Sequence, residues 1–210
     1  MDQLNLKSLS ILEKELLIGK DHIRIRKVSP KDLQGIYQVA CSVGNKKKEA
    51  NQGFLVDDYS SNPKYYQKIL LEKIFELEHF YIAESYNKII GFLIAYTKEQ
   101  WLKYNEEWTE EVYWKPDFNI KNTKDFILVD KTAILPHLTG KGIGSQLYKK
   151  LISDIKIKGI NNIFAETIIS PTPNFASLSF RIKQNYTLAG MRYENYINQI
   201  FTTLIYHKSI

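Results

Sequence analysis

Along most of the chain, apolar positions recur at one of two spacings, and the spacing changes at proline, glycine and asparagine. His22 to Val28 alternates with period two, which predicts a half-buried strand. Ser29-Pro30-Lys31-Asp32 supplies an N-cap, a proline at the first helical position and an acid at the third. The helix that follows carries Leu33, Ile36, Tyr37, Ala40 and Val43 on one face. Asn62-Pro63 opens a second helix, with Tyr66, Ile69, Leu70, Ile74 and Leu77 on one side. Phe80 to Glu84 and Ile89 to Tyr96 read as an antiparallel hairpin joined through Ser85-Tyr86-Asn87-Lys88. Phe126 to Leu135 is a near-continuous apolar strand, interrupted by Asp130-Lys131-Thr132 and stopped by Pro136. Gly142 to Lys158 is a helix with Ile143, Leu147, Leu151 and Ile155 inward and Lys149, Lys150, Lys156 and Lys158 outward, ended by Gly159. Ile163 to Ile169 is a further buried strand, so strand, helix and strand here predict a right-handed parallel crossover. Asn174 caps a short helix through Lys183, and strands follow over Thr187 to Tyr193 and Ile197 to Tyr206.

Three stretches lack a clean period. Residues 3 to 18 carry a mixed apolar pattern, and 1–20 is expected to be an N-terminal extension ahead of a single domain spanning 21–210. Residues 44 to 62 read as a long loop, and 98–125, rich in Trp, Tyr and Glu, as a solvated insert. Its block Glu106-Glu107-Trp108-Thr109-Glu110-Glu111 is an acidic wall that can attract a cationic amine. The order β-α-α-β-β-(insert)-β-α-β-α-β-β predicts an α/β fold with a mixed central sheet of about seven strands flanked by helices.

Bulk properties change this picture only by exclusion. With 210 residues, 44% of them hydrophobic and 25% charged, the chain can bury one full core. The longest apolar runs are of strand length, which gives no bilayer span, and MDQLNLKSLS lacks a basic-then-apolar leader, so a cytoplasmic protein with no membrane partner is expected. Cys41 is the single cysteine, and the four histidines show no ligand spacing, so neither a disulfide nor a metal site is expected. The net charge of +6 favours an anionic ligand, but Lys46-Lys47-Lys48 without aromatic interleaving is better read as a solvated loop than as a nucleic-acid contact.

The chemistry concentrates in Gly140-Lys141-Gly142-Ile143-Gly144-Ser145, set between an apolar strand and an amphipathic helix, where backbone N–H groups can hold a phosphate. No glycine here is followed by Lys-Ser or Lys-Thr, so the stretch is not a Walker A loop. A dinucleotide fingerprint fails as well, because its last glycine falls on Ser145 or Leu147. Gly142 and Gly144 do fill the glycines of [Q/R]-x-x-G-x-[G/A]. Taken with Ala133-Ile134-Leu135-Pro136, Glu166, Asn174-Phe175-Ala176-Ser177 and Asn185-Tyr186 in that order, the chain resembles the GNAT superfamily of acyl-CoA-dependent N-acetyltransferases. The resemblance covers Phe126 to Tyr193 well and His22 to Tyr96 fairly, and is absent from 1 to 20 and 98 to 125. Thr139 stands where the family usually has Gln or Arg, Asn185-Tyr186 where it has Gly-Phe, and Arg181 where many members carry a tyrosine.

The resemblance implies acetyl-CoA as acyl donor, with no metal, and direct attack by a primary amine in a ternary complex. It places the pantetheine arm of the coenzyme A thioester along the backbone of Thr132, Ala133 and Ile134, and the pyrophosphate on Thr139, Gly140, Lys141, Gly142, Ile143, Gly144 and Ser145. Asn174 and Ser177 match the positions that contact the same arm, and Asn174 is equally a helix cap. Glu166 is the leading base, an acid among Phe164, Ala165, Ile168 and Ile169, with a satisfied ion pair as its alternative. Asp130 is the second candidate, expected on the face of Thr132 because the two lie two residues apart, and Tyr186 is one candidate acid for the thiolate. A catalytically degenerate acyl-CoA-binding sensor or scaffold is the alternative function. The acceptor amine stays open, with a cationic one favoured by the acidic loops, and so does a homodimer.

Overall fold

A computed structural model describes residues 22–43, 50–51, 53–196 and 198–210. The expected extension over 1–20 and the basic part of the 44 to 62 loop lie outside these residues. Among the described residues one eight-stranded mixed sheet runs through the molecule, in the order β1-β2-β3-β5-β6-β8-β7-β4. The strands are β1 (Arg24–Lys27), β2 (His79–Ser85), β3 (Lys88–Thr97), β4 (Tyr113–Trp114), β5 (Ile127–Ile134), β6 (Asn162–Ser170), β7 (Thr187–Tyr196) and β8 (Gln199–Ser209). The helices are α1 (Leu33–Val43), α2 (Pro63–Glu76), α3 (Lys98–Leu102), α4 (Trp108–Glu111), α5 (Ile143–Ile157) and α6 (Phe175–Lys183). None of them is long and apolar enough to cross a membrane.

Local chemistry sets these boundaries much as the pattern predicts. Asp32 accepts from the Ser29 backbone N–H at 2.8 Å and from its hydroxyl at 2.7 Å, closing the turn that leads into α1. Asn62 caps α2 by accepting from the Tyr65 N–H. The β2–β3 hairpin turns on Tyr86 and Asn87, both with positive φ. In β2 and β3, alternate residues serve opposite faces. Tyr81, Ala83, Leu93 and Ala95 join Leu147, Leu151 and Ile155 of α5 on one side. Phe80, Ile82, Phe92 and Ile94 join Ile36 and Val39 of α1 and Leu70 and Ile74 of α2 on the other.

The 98–125 segment differs from its expected form. It is no solvated excursion. Trp108 is fully buried and packs with Phe126, Phe164, Ala189 and Ile205 in a third apolar cluster, and Tyr113–Trp114 adds an eighth strand at the edge beside β7. The segment shows no period because it docks through single large anchors. The Trp114 and Phe118 rings stack 4.9 Å apart, and both lie edge-on to Phe164.

A second difference lies in β5. Ile94 faces Lys131 while Ala95 faces Val129, so Asp130 is the extra residue of a β-bulge. The bulge shifts the alternation by one. Lys131 and Ala133 take the α1/α2 face, opposite Ile94 and Phe92, while Thr132 pairs with Leu93 on the α5 face. Asp130 points to Lys73 of α2, so it does not share the face of Thr132 as simple alternation implied.

Candidate active site

The parallel strands β5 and β6 pair at only three positions, Ile127 with Ile163, Leu128 with Phe164 and Val129 with Ala165. Beyond them β5 continues to Ile134 and β6 to Ser170 without pairing to each other. The gap opens a cavity of about 1020 Å³ whose walls include Asp130 to Ile134, Glu166 to Ile168, the 139–145 loop and the start of α6. Along that gap the edge of β5 offers backbone N–H and C=O groups that no strand takes up.

At one end of the cavity stands the N-terminus of α5. Its N-cap, Gly142, brings no side-chain bond and its first turn no acid, and the first intrahelical bond starts at the Gln146 N–H. The N–H groups of Ile143, Gly144 and Ser145 therefore lack helical partners, and the helix dipole adds positive potential there. Gly140 and Gly142 hold φ of +80° and +82°, and a Cβ on either would meet nothing within 4 Å. The loop is thus curled around open space in a conformation that suits glycine. An anionic diphosphate fits such a cradle.

The expected loop side chains contribute less than their backbone. The Thr139 hydroxyl donates to the Pro136 carbonyl at 2.9 Å, and Ile143 is buried in the core. Asn174 accepts from the Ser177 N–H at 3.0 Å and donates to the Phe54 carbonyl at 3.1 Å, so its side chain acts as helix cap and as tether for the 53–56 segment. The Ser177 hydroxyl lies 3.3 Å from that of Thr167 and lines the cavity.

The opposite wall carries Glu166 of β6 and Arg192 and Glu194 of β7, with Trp108 and Glu111 of α4 bonded to them from outside the cavity lining. Glu166 accepts from the Trp108 indole at 2.7 Å and lies 3.0 Å from Arg192 Nε. Arg192 also reaches Glu111 and Glu194, each at 3.0 Å, so one buried guanidinium is ringed by three carboxylates. Burial pushes the Glu194 carboxyl above its ordinary range against the pull of Arg192, and the like charges of Glu166, Glu111 and Asp130 push the same way. Glu194 is partly exposed on the cavity wall, whereas Glu166 is committed to Trp108 and Arg192.

Asp130 sits 3.1 Å from Lys131 and 3.5 Å from Lys73, and Lys73 also donates to the Tyr96 hydroxyl. Burial alone would raise this carboxyl, but the two lysines outweigh it and hold Asp130 below its ordinary value. Asp130 is therefore held as a paired anion at the bulge. Tyr186 lies in the core beneath α6, outside the cavity lining, and burial raises its hydroxyl well above the usual tyrosine value.

The sequence pattern singled out Glu166 but not its partners Trp108, Arg192 and Glu194. The one available signal was Arg192 and Glu194 at period two on β7, which sets both on one face.

Residues 48–180, more than half of the chain, match the acetyltransferase (GNAT) family. The fold is shared with solved structures across nearly all of their length. The PaiA N-acetyltransferase of Thermoplasma acidophilum, solved with coenzyme A, is 21% identical with a TM-score of 0.58, the match covering 90% of this chain and 99% of that one. YncA of Salmonella typhimurium, solved with acetyl-CoA, is 12% identical at TM-score 0.57, covering 90% and 94%. The ribosomal-protein-S18-alanine N-acetyltransferase of Escherichia coli is 13% identical at 0.55, again covering 90% and 94%. No curated protein sequence matches the chain. The parted strands, the open helix N-terminus and the family match agree, and the chain belongs to the GNAT family of acetyltransferases.

Proposed function

We propose that the protein is an N-acetyltransferase that moves the acetyl group of acetyl-CoA onto a primary amine, with donor and acceptor bound together in the cavity between β5 and β6. The observation that carries this reading is the parting of two parallel strands beside an uncapped helix N-terminus. A free strand edge suits a chain of amides and an open helix N-terminus suits a diphosphate, and coenzyme A contains both. In this reading Thr132, Ala133 and Ile134 bind the pantetheine arm through their backbone. The amides from Gly140 to Ser145 bind the pyrophosphate, and Ser177 adds a hydroxyl.

Acetyl-CoA supplies an activated acyl carbonyl, and the chain supplies position and a proton acceptor. The acceptor amine enters past Glu166 and Glu194, which with Glu111 behind Arg192 carry three charges against one and draw in an ammonium. Glu194, with its raised carboxyl, takes the proton from the amine, and Glu166 holds Arg192 in place. Glu194 thus replaces Glu166 as the leading base on geometric grounds.

An amine panel scored by thiol release and by mass spectrometry of the products tests the proposal. Acetylated amine and free CoA are expected in equal amounts. Binding of acetyl-CoA with no CoA released above background for any amine would leave the acyl-CoA sensor instead.

A further inference from the structure

Arg181 of α6 is a cation on the cavity wall, 4% exposed, with no carboxylate within ion-pair reach among the described residues. Its guanidinium lies against three aromatic rings, 5.7 Å from Tyr148 of α5, 5.5 Å from Tyr186 and 6.0 Å from Phe180. It donates to the Tyr148 hydroxyl, and its buried Nε has no partner among the described residues. Ring faces and a neutral phenol replace only part of the hydration a guanidinium loses on burial. The other charged or titratable groups on this side are Tyr206 and Lys208 of β8. Tyr206 is raised by burial, and Lys208 donates to the Gln184 carbonyl at 2.6 Å. None of these groups is an anion at neutral pH, so among the described residues the site holds positive potential with no counter-ion of its own.

Its place in the fold says which anion it meets. α6 starts at the open end of the gap, where the Asn174 N–H donates to Ile168, and passes Thr167 at Ser177. One turn later it brings Arg181 against Tyr148 and Tyr186, in the cluster that also holds Ala165 and its β8 partner Tyr206, and Ala165 is the last β6 residue that β5 matches. Arg181 therefore stands at the closed end of the gap, where the thioester lies if the pantetheine arm runs along β5.

We propose that Arg181 stabilises the departing sulfur as a thiolate, so that acetyl transfer needs no acid at that point. The inference rests on the reading of the site as an acetyl-CoA-dependent transferase. The acceptor loses its ammonium proton to solvent and attacks as the neutral amine; its nitrogen bonds to the acyl carbon and gives a second proton to Glu194, while the C–S bond breaks with its electron pair on sulfur. The thiolate sits against the guanidinium and takes a proton from solvent as CoA leaves.

Calorimetry with CoA and with desulfo-CoA, which carries hydrogen in place of the thiol, tests this without turnover. The thiol loses its proton in the complex at a pH below the value for free CoA, so the preference for CoA over desulfo-CoA rises roughly tenfold per pH unit above the bound value and levels off near the free one. Arg181→Gln flattens that preference and Arg181→Lys keeps part of it. A wild-type preference that is the same at every pH overturns the proposal. So does an Arg181→Gln loss that is equal for both ligands, which would assign the guanidinium to the phosphates. If the Gln variant does not fold, the wild-type pair of ligands decides alone. Failure of both ligands to bind refutes the coenzyme site itself, a result distinct from binding with a flat preference.

Discussion

Glu166 and Glu194 share one guanidinium but are held differently, and the difference separates their roles. Glu166 is fixed by the Trp108 indole and Arg192, which leaves its oxygens engaged, while Glu194 bonds to Arg192 alone among the described residues and has a raised carboxyl. Glu194→Gln is expected to lower kcat on the order of 10²-fold and to remove the ascending limb of the pH profile, with acetyl-CoA affinity unchanged. Glu166→Gln removes a like charge that raises Glu194, so the limb persists and moves to lower pH. Full turnover in Glu194→Gln together with loss of it in Glu166→Gln would return the role of base to Glu166. An acid inside an apolar strand is visible in sequence, and Glu166 is such an acid. The setting of Glu194 is not visible there, because it is assembled from residues far apart in the chain, and Glu111 lies 81 positions from the arginine they share.

At the scale of elements, capping and periodicity were legible because both are local. The N-caps at Ser29, Asn62 and Asn174, the buried face of α5 and its end at Gly159 follow from spacing alone. The bulge at Asp130 did not follow, since an extra residue exists only relative to the partner strand β3. The role of 98–125 was equally hidden, because its burial comes from three rings on Phe164 and not from a repeating stripe. The α5 N-terminus, which sequence and structure place alike, carries the element-scale prediction. Gly142→Glu puts bulk and negative charge into the cradle and should abolish acetyl-CoA binding by calorimetry. Because a Cβ there meets nothing within 4 Å, the fold should lose only the ~1–2 kcal/mol of a side chain at positive φ, as Gly142→Ala also does. Normal acetyl-CoA affinity in the glutamate variant would refute the pyrophosphate assignment.

Across the whole molecule, the same ion pairs that organise the sheet set its response to acid. Asp32 ties β1 to the start of α1 through Arg26, at 2.7 Å and 2.8 Å, and Arg26 reaches on to Glu84 of β2 at 2.8 Å. Burial works against the Asp32 carboxylate, but Arg26 and Ser29 more than offset it and bring its pKa down to about 2. His79 and His207 are buried as well, and burial lowers both imidazoles below their ordinary value of 6.5. All three groups bind protons less readily when folded, so each stabilises the fold above its unfolded value and withdraws that stability as pH falls. The histidines act first, from about 6.5 downward, and Asp32 acts in a separate window between about 4 and 2. Urea unfolding followed from pH 8 to pH 2.5 should therefore show two successive declines. In Asp32→Asn the protein should start less stable and show a shallower second decline, because one of the depressed carboxyls that titrate there, beside Asp130 and Asp154, has gone. An unchanged slope below pH 4 in that variant would mean that the Arg26–Asp32 pair does not link β1 to α1 energetically.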